Sequence, residues 1–144
     1  MTPSEIPDRS SYRLIYSLTT RWGDNDIYGH INNAIYYSYF DSVVNRYLIE
    51  EAGLDINTGE VVGYVVSSGC DYHAPISYPE QIEAGIRVDK LGNRSVTYGV
   101  AIFKAGESVA AAHGHFVHVF VDKREQKAVP IPAKLRSALE KLTY

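Results

Sequence analysis

The sequence is poor in the features that mark an exported, membrane-bound or metal-clustered protein. Its one cysteine, Cys70, excludes an internal disulfide and a cysteine-rich metal cluster. Its longest apolar runs, such as VVGYVV, are far shorter than the roughly 20 residues that cross a bilayer. The first residues, MTPSEIPDRSSYR, lack the basic start and apolar core of a secretory signal. We therefore expect a cytoplasmic protein with no membrane-spanning segment.

Basic charge is also scarce. The 14 lysines and arginines are outnumbered by 17 acidic residues, which gives a net charge of -3. This balance weighs against a nucleic-acid partner, because phosphate binding usually requires a basic excess or a basic face. The chain has no GxSxG nucleophile elbow and no GxxxxGK[ST] phosphate loop. With 144 residues, 45% of them hydrophobic, it has the size and composition of one globular domain.

The hydrophobic pattern changes from strand-like to helix-like early in the chain. Residues 12–20 alternate between apolar and polar side chains, which predicts a half-buried strand. In residues 33–52 the apolar side chains recur at steps of three and four, which predicts one long helix. A side-chain oxygen of Asn32 or Asn33 can cap its first turn. Gly53 can adopt the left-handed conformation that ends it.

Strand-like patterns dominate the rest of the chain almost to its end. The predicted strands are residues 61–73, 81–91, 94–104 and 108–121. Short turns such as LGNR and KAGE join them, which is typical of an antiparallel meander. The last segment, PIPAKLRSALEKL, has one apolar stripe at helical spacing, so we expect a short helix that covers one end of the sheet. The stripe consists of Ile131, Leu135, Leu139 and Leu142.

This order of elements predicts an α+β fold, in which an antiparallel sheet of five or six strands is wrapped around one long central helix. The segment DNDIYGHINNAIY, residues 24–36, has the pattern D-x-D-x-x-G-H-x-N-N-x-x-Y directly ahead of that helix. On this motif the chain resembles the hotdog-fold acyl-CoA thioesterases, the 4-hydroxybenzoyl-CoA thioesterase-like family. The order of elements matches that family over nearly the whole chain. The resemblance implies a single hotdog domain in residues 1–144.

Thioester hydrolysis accounts for the polar density of the motif. The reaction needs a carboxylate near the carbonyl carbon, and hydrogen-bond donors for the oxygen that becomes negative in the transition state. A thiol leaves easily, because its pKa is roughly 8.5 by analogy with free cysteine. The resemblance implies that the carboxylate belongs to Asp26. It can act as a nucleophile, through an acyl-enzyme anhydride, or as a general base for water.

The loop between this acid and the helix has an implied role as well. Residues 27–32 bring Asp26 close to the helix start, where unpaired N–H groups near Asn33 and Ala34 favour developing negative charge. These N–H groups form the expected oxyanion site. Gly29 lets the backbone turn tightly and approach the thioester without a side chain in the way.

Other polar residues of the motif have open or structural roles. His30 and Asn32 can orient the loop, hydrogen-bond the acyl group or position water. For His30 a structural hydrogen bond is as good an interpretation as a contact with the substrate. Asp24 is interpreted as a cap of the turn ahead of the helix, and Tyr36 as a packing residue of the helix.

Three histidines close to one another in the sequence do not predict a metal site. His113 and His115 share one strand face, whereas His118 points to the other. No acid or cysteine joins them at a spacing suited to metal ligands. We therefore expect neither a metal nor another cofactor.

The contact with coenzyme A is expected at the turn DKLGNRSV. Several thioesterases of this family carry a run of basic residues there, which meets the nucleotide phosphates. In this chain Arg94 matches the last basic position, Gly92 and Asn93 replace the others, and Lys90 flanks the turn. The resemblance implies an acyl-CoA substrate held by Lys90 and Arg94. Because the basic run is incomplete, an acyl-carrier-protein substrate is an alternative.

The expected sheet also predicts assembly. Five strands around one helix leave an edge strand exposed, and an exposed edge invites pairing with a second copy. We expect a homodimer, or a homotetramer built as a dimer of dimers. The resemblance adds that each active site lies at the junction and that Ser67 and Ser68 of the partner help to line it.

Two other functional classes are weighed against hydrolysis. A non-catalytic module that binds acyl thioesters is less favoured, because a ligand pocket has no use for a desolvated carboxylate at Asp26. A hotdog dehydratase is also less favoured. Such enzymes have the catalytic acid on the helix or a histidine after a different loop, and Asp41 is the only acid near the start of the predicted helix.

Overall fold

The computed structural model of the chain describes residues 6–144, which form one six-stranded sheet and two α-helices. The strands are β1 (Leu14–Thr19), β2 (Val61–Tyr72), β3 (Gln81–Leu91), β4 (Ser95–Lys104), β5 (Ala112–Asp122) and β6 (Lys127–Ala128). The helices are α1 (Ile35–Ala52) and α2 (Ala133–Glu140). All the strand pairs are antiparallel. The predicted hotdog architecture is thus confirmed.

Residues 1–5, on which part of the expectation about export signals rests, lie outside the described residues. In residues 6–144, no helix has both the length and the apolar character needed to span a membrane.

The long helix α1 packs one broad apolar face against the sheet. It begins at Ile35, two residues later than predicted, because the Asn32 side chain accepts the N–H of Ala34 and holds the preceding residues in a turn. It ends as predicted at Gly53, whose φ of 68° is left-handed. Its buried residues are Tyr36, Tyr39, Phe40, Val43, Val44, Tyr47, Leu48 and Ala52.

The strand order is β1-β3-β4-β5-β2. Strands β3, β4 and β5 form the predicted meander, but the expectation was wrong for β2, which pairs with β5 at the far edge. The chain from residue 73 to residue 80 must therefore cross from one side of the sheet to the other. Alternation of apolar residues marks a strand but does not name its partner, so the pattern could not reveal this crossing.

The main core lies between the sheet and the two helices. Alternate residues of β3 and β4 are buried there, and so is the predicted stripe of the C-terminal helix. A smaller core on the opposite face of the sheet was not predicted. It consists of Tyr12, Ala101, Phe103 and Ala110. Gly85 makes room for it, because a Cβ at this position would lie 2.7 Å from the Tyr12 ring.

Candidate active site

The acidic loop is folded into a small hairpin ahead of α1. A single bridge pairs Asn25 with Ile31. Within it, the N–H of Asp26 donates to His30 O at 2.9 Å, and the N–H of Gly29 donates to Asp26 O at 3.0 Å. Gly29 has a φ of 80°, a conformation that costs glycine little and other residues more. The glycine is thus needed for the turn itself.

The hairpin leaves Asp26 half-buried with one engaged oxygen. Its Oδ1 accepts the N–H of Tyr28 at 2.9 Å. Its Oδ2 has no hydrogen-bond donor among residues 6–144. The carboxylate is therefore held in orientation by Oδ1, while Oδ2 is not engaged by any of the described residues.

Asp24, two residues earlier, has the opposite environment. Its side chain is 1% exposed, and its Oδ2 accepts the Arg21 N–H at 2.9 Å and the Tyr39 hydroxyl at 2.8 Å. The Arg21 guanidinium lies 3.3 Å from Oδ1. Burial, together with the hydrogen bond to Asp24, raises the pKa of Tyr39, which keeps its hydroxyl a donor. Asp24 thus joins the loop to α1, in agreement with the structural interpretation from the sequence.

Beside Asp26 opens a cavity of about 470 Å³. Among the predicted catalytic residues, Asp26, His30 and Asn33 line it, whereas Gly29 lies on the outer side of the hairpin in a neighbouring depression with Trp22 and Ile27. The other residues that line the cavity are Tyr28, Ile31, Tyr36, Tyr72, His73, Ala74 and Pro75. Tyrosine and histidine rings are therefore half of the residues that line the cavity, and Asp26 and Asn33 line it with them.

The start of α1 offers fewer free donors than the sequence suggested. The N–H of Ala34 donates to Asn32 Oδ1 at 2.9 Å, and that of Ile35 donates to Asn32 O at 2.9 Å. The N–H of Asn33 has no acceptor among the described residues. Of the two predicted oxyanion donors, the N–H of Asn33 is therefore free of any acceptor in residues 6–144. The N–H of Ala34 would have to release Asn32 Oδ1 before it could bind an oxyanion.

Tyr72 lines the cavity but was not among the predicted site residues. It ends β2, and its hydroxyl donates to Asn33 O at 2.7 Å. Its ring meets that of Tyr36 edge-on, with centroids 5.0 Å apart. Burial raises the pKa of both hydroxyls, that of Tyr36 to about 12. The one available signal was the alternation in β2, which sets Tyr72 on the same face as Ser68 and Cys70, but no pattern indicated its contact with the helix start.

The predicted coenzyme A contacts lie away from this cavity within one chain. Lys90 and Arg94 are exposed at the β3–β4 turn. The cavity lies near the other end of β4, where Ala111 bonds to both Ile102 and His73. Eight strand residues separate the two positions, roughly 26 Å at the usual rise per residue.

The backbone of the β3–β4 turn is fastened to the C-terminal region. Arg136 Nη2 donates to Gly92 O at 2.6 Å, and Ile131 N–H donates to Asn93 O at 2.9 Å. The predicted substrate contacts Ser67 and Ser68 are exposed in the middle of β2. None of these four predicted substrate contacts is brought to Asp26 by a single protomer.

The histidines do not form a metal site. No group of three or more His, Cys, Asp or Glu side chains suited to a metal is found in residues 6–144. His118 is buried among aromatic rings, and burial lowers its pKa to about 4. His113 Nδ1 lies 2.7 Å from Nε2 of His73, and burial together with this neighbour lowers the pKa of His113.

Comparison with known proteins defines the class to which this fold and site belong. Residues 20–139 match the family model of the thioesterase-like superfamily. The chain therefore belongs to the thioesterase-like superfamily and is a thioester hydrolase of the hotdog fold.

Individual solved structures agree with this membership. The PA5185 protein of Pseudomonas aeruginosa strain PAO1 is 54% identical, with 96% of each chain covered and a TM-score of 0.95. PA2801, a putative thioesterase from Pseudomonas aeruginosa, is 25% identical over 87% of this chain and 96% of its own, with a TM-score of 0.78. Slr0204, a 1,4-dihydroxy-2-naphthoyl-CoA thioesterase from Synechocystis, shares the fold at 17% identity, with 89% and 96% covered and a TM-score of 0.79.

Proposed function

We propose that this protein hydrolyses acyl-CoA thioesters to a free acid and coenzyme A in the cavity beside Asp26. One observation carries the proposal. The cavity is lined by the half-buried carboxylate of Asp26 and by Asn33 at the start of a long helix, and among residues 6–144 neither Asp26 Oδ2 nor the Asn33 N–H has a hydrogen-bond partner. A carboxylate and an oxyanion donor are the two groups that thioester hydrolysis requires.

Asp26 supplies the carboxylate. Because Oδ1 accepts the Tyr28 N–H, Oδ2 is the atom available for the reaction. It can attack the thioester carbon to give an anhydride that water then cleaves, or it can take a proton from the attacking water. In both routes a C–O bond forms, the C–S bond breaks and coenzyme A leaves as a thiolate.

The N–H of Asn33 supplies the oxyanion contact. The helix behind it has 18 residues, and the first turn of a helix carries partial positive charge that favours an anion. Ala34 can add a second donor only by giving up its bond to Asn32 Oδ1. Asn32 therefore acts through the shape of the helix start, and His30 is the remaining polar side chain of the motif on the cavity wall.

The proposal includes a homodimer formed through β2. This strand is one of the two edges of the sheet, and Tyr64, Val65 and Val66 on it are 44%, 46% and 59% exposed. Such an edge is suited to antiparallel pairing with a second copy. Two-fold pairing reverses the strand direction, so the β3–β4 turn of one protomer comes to the same end of the joint sheet as the cavity of the other.

This arrangement gives Lys90 and Arg94 a role in the other protomer's cavity. The partner's Arg94 would approach the nucleotide of coenzyme A, and Ser67 and Ser68 would lie at the junction itself. A further pairing of dimers into a tetramer is compatible with this geometry.

Thiol release from a panel of acyl-CoAs tests the proposal. The panel should vary acyl length and include aromatic and aliphatic acyl groups, with the same acyl groups on a carrier protein as a second arm. Hydrolysis of at least one acyl-CoA in preference to its carrier-protein counterpart is the expected result. Preference for the carrier protein would favour that alternative substrate. Tight binding without thiol release from either class would contradict hydrolysis and favour the non-catalytic module.

A further inference from the structure

Tyr72 reaches the active-site wall from outside the sequence motif. It is the last residue of β2, while its hydroxyl oxygen lies 2.7 Å from the carbonyl oxygen of Asn33. The ring lines the cavity and packs edge-on against Tyr36 at an interplanar angle of 85°. Burial raises the pKa of Tyr72, so its hydroxyl carries a proton at neutral pH and serves as a donor.

The bond completes a set of contacts that fix the backbone on both sides of Asn33. On the preceding side, Asn32 O accepts the N–H of Ile35 at 2.9 Å. On the following side, Tyr72 donates to Asn33 O, and the N–H of Ala34 is held by Asn32 Oδ1 at 2.9 Å. Both peptide planes are thus oriented by hydrogen bonds. The Asn33 N–H belongs to the first of these planes, together with Asn32 O, and has no acceptor in residues 6–144.

We propose that Tyr72 is a positioning residue. By holding the peptide plane that follows Asn33, its hydroxyl fixes the Asn33 dihedral angles and thereby keeps the unused N–H of the preceding plane aimed at the developing oxyanion. The inference rests on the proposed hydrolysis. A donor that is already oriented stabilises the transition state without reorganising at the moment of reaction, and this is the larger part of its catalytic value. Tyr72 provides that orientation from a different element of the fold, the edge strand, rather than from the loop or the helix.

The proposal separates Tyr72 from a residue that selects the acyl group. A positioning contact acts on the thioester oxygen, which every substrate shares, so its loss should lower turnover by the same factor for all acyl groups. A side chain that contacts the acyl group would give losses that differ between acyl groups. A purely structural side chain would change the melting temperature and the affinity for substrate together.

Tyr72→Phe removes the hydroxyl and keeps the ring that packs on Tyr36. Tyr144→Phe is the control, since Tyr144 is 69% exposed, its hydroxyl has no hydrogen bond among residues 6–144 and it lines no part of this cavity. For Tyr72→Phe we expect a loss in kcat of about tenfold, below the hundredfold or more that follows removal of an oxyanion donor itself. KM, the affinity for a non-hydrolysable thioether analogue and the melting temperature should stay near wild type. The control should match wild type in every measurement.

Three results would overturn the inference. They are an unchanged kcat in Tyr72→Phe, a loss confined to some acyl groups, and a loss accompanied by equal weakening of thioether binding and a lower melting temperature. These results are distinct from failure of the proposed function, in which wild type itself releases no thiol. If wild type is active and Tyr72→Phe is equally active, only the role of Tyr72 is rejected.

Discussion

The two ends of the sheet differ in how completely their polar groups are hydrogen-bonded. At the β3–β4 turn, the carbonyl groups of Gly92 and Asn93 are bonded to the C-terminal region, and Arg94 O accepts the N–H of Phe120. At the cavity end, Asp26 Oδ2 and the Asn33 N–H have no hydrogen-bond partner in the part of the chain that the structure describes. Large apolar side chains are also exposed there, with Trp22 at 76%, Ile27 at 94% and Tyr28 at 80%.

This difference separates the regions that determine stability from the region that determines turnover. A buried polar group without a hydrogen-bond partner costs free energy. Few such groups therefore occur in the interior and at the β3–β4 turn of the described residues. At the cavity end, the atoms that a thioester would contact do not follow this rule. Substitutions in the interior should therefore lower stability. Substitutions at the β3–β4 turn should alter substrate affinity, and those at the cavity end should alter turnover.

The largest loss of stability is expected where two strands approach most closely. A Cβ at Gly114 would lie 1.9 Å from the carbonyl oxygen of Gly69, so β5 and β2 could not keep their register. Gly114→Ala should lower the free energy of unfolding by about 3 kcal/mol or more. Urea unfolding measures the loss. Gly106→Ser is a useful comparison, because Gly106 has open space around it and should show only the smaller cost of a positive φ. Equal stability of Gly114→Ala and wild type would contradict the described register.

A second interior effect depends on pH. Burial lowers the pKa of His118 to about 4, below its ordinary value of 6.5. Between these values the unfolded chain binds the proton and the folded chain does not. Stability contributed by the neutral ring is therefore present above pH 6.5 and lost as the pH falls towards 4, by about 3 kcal/mol at most.

Unfolding at pH 7 and pH 4.5 in wild type and in His118→Phe isolates this contribution. The variant should lose less stability on acidification than wild type, because it has no ring nitrogen to protonate. His115→Gln, which changes an exposed histidine of the same strand, should keep the wild-type dependence on pH. The same acid sensitivity in all three proteins would show that His118 is not its source.

A smaller effect, on KM, is expected at the β3–β4 turn. If the partner's Arg94 binds the phosphates of coenzyme A, Arg94→Ala should raise KM about fivefold with little change in kcat, in the range of roughly 1 kcal/mol for an exposed ionic contact. The increase should shrink for a pantetheine thioester, which lacks the nucleotide. Lys90→Ala should have a weaker effect. Equal losses on both substrates would mean that Arg94 supports structure rather than nucleotide binding.

The sequence predicted the elements of this fold better than their partners. Apolar spacing located α1, the strands and the C-terminal stripe, because burial imposes its period directly on each segment. It could not predict that β2 crosses to pair with β5, since strand pairing depends on the whole chain. The small core around Tyr12 was missed for a related reason, because it forms only when the N-terminal segment lies across the outer face of the sheet.

The candidate site was predictable to the same degree. The motif indicated Asp26, Gly29, His30 and Asn33, and the fold gathers three of them at one cavity. The contact of Tyr72 with Asn33 joins residues 39 positions apart, so no local pattern carries it. The occupied N–H of Ala34 also escaped prediction, because it depends on the orientation of the Asn32 side chain.

The Asp26→Asn variant shows whether this carboxylate performs the chemistry. The change keeps the shape of the side chain and removes its charge, so kcat on the best acyl-CoA should fall about a thousandfold, while the affinity for a thioether analogue and the melting temperature stay near wild type. Asp24→Asn, in the buried network with Tyr39, should lower stability and change turnover far less. Near-normal turnover in Asp26→Asn would contradict the claim that the chemistry takes place beside Asp26, at the cavity end of the sheet.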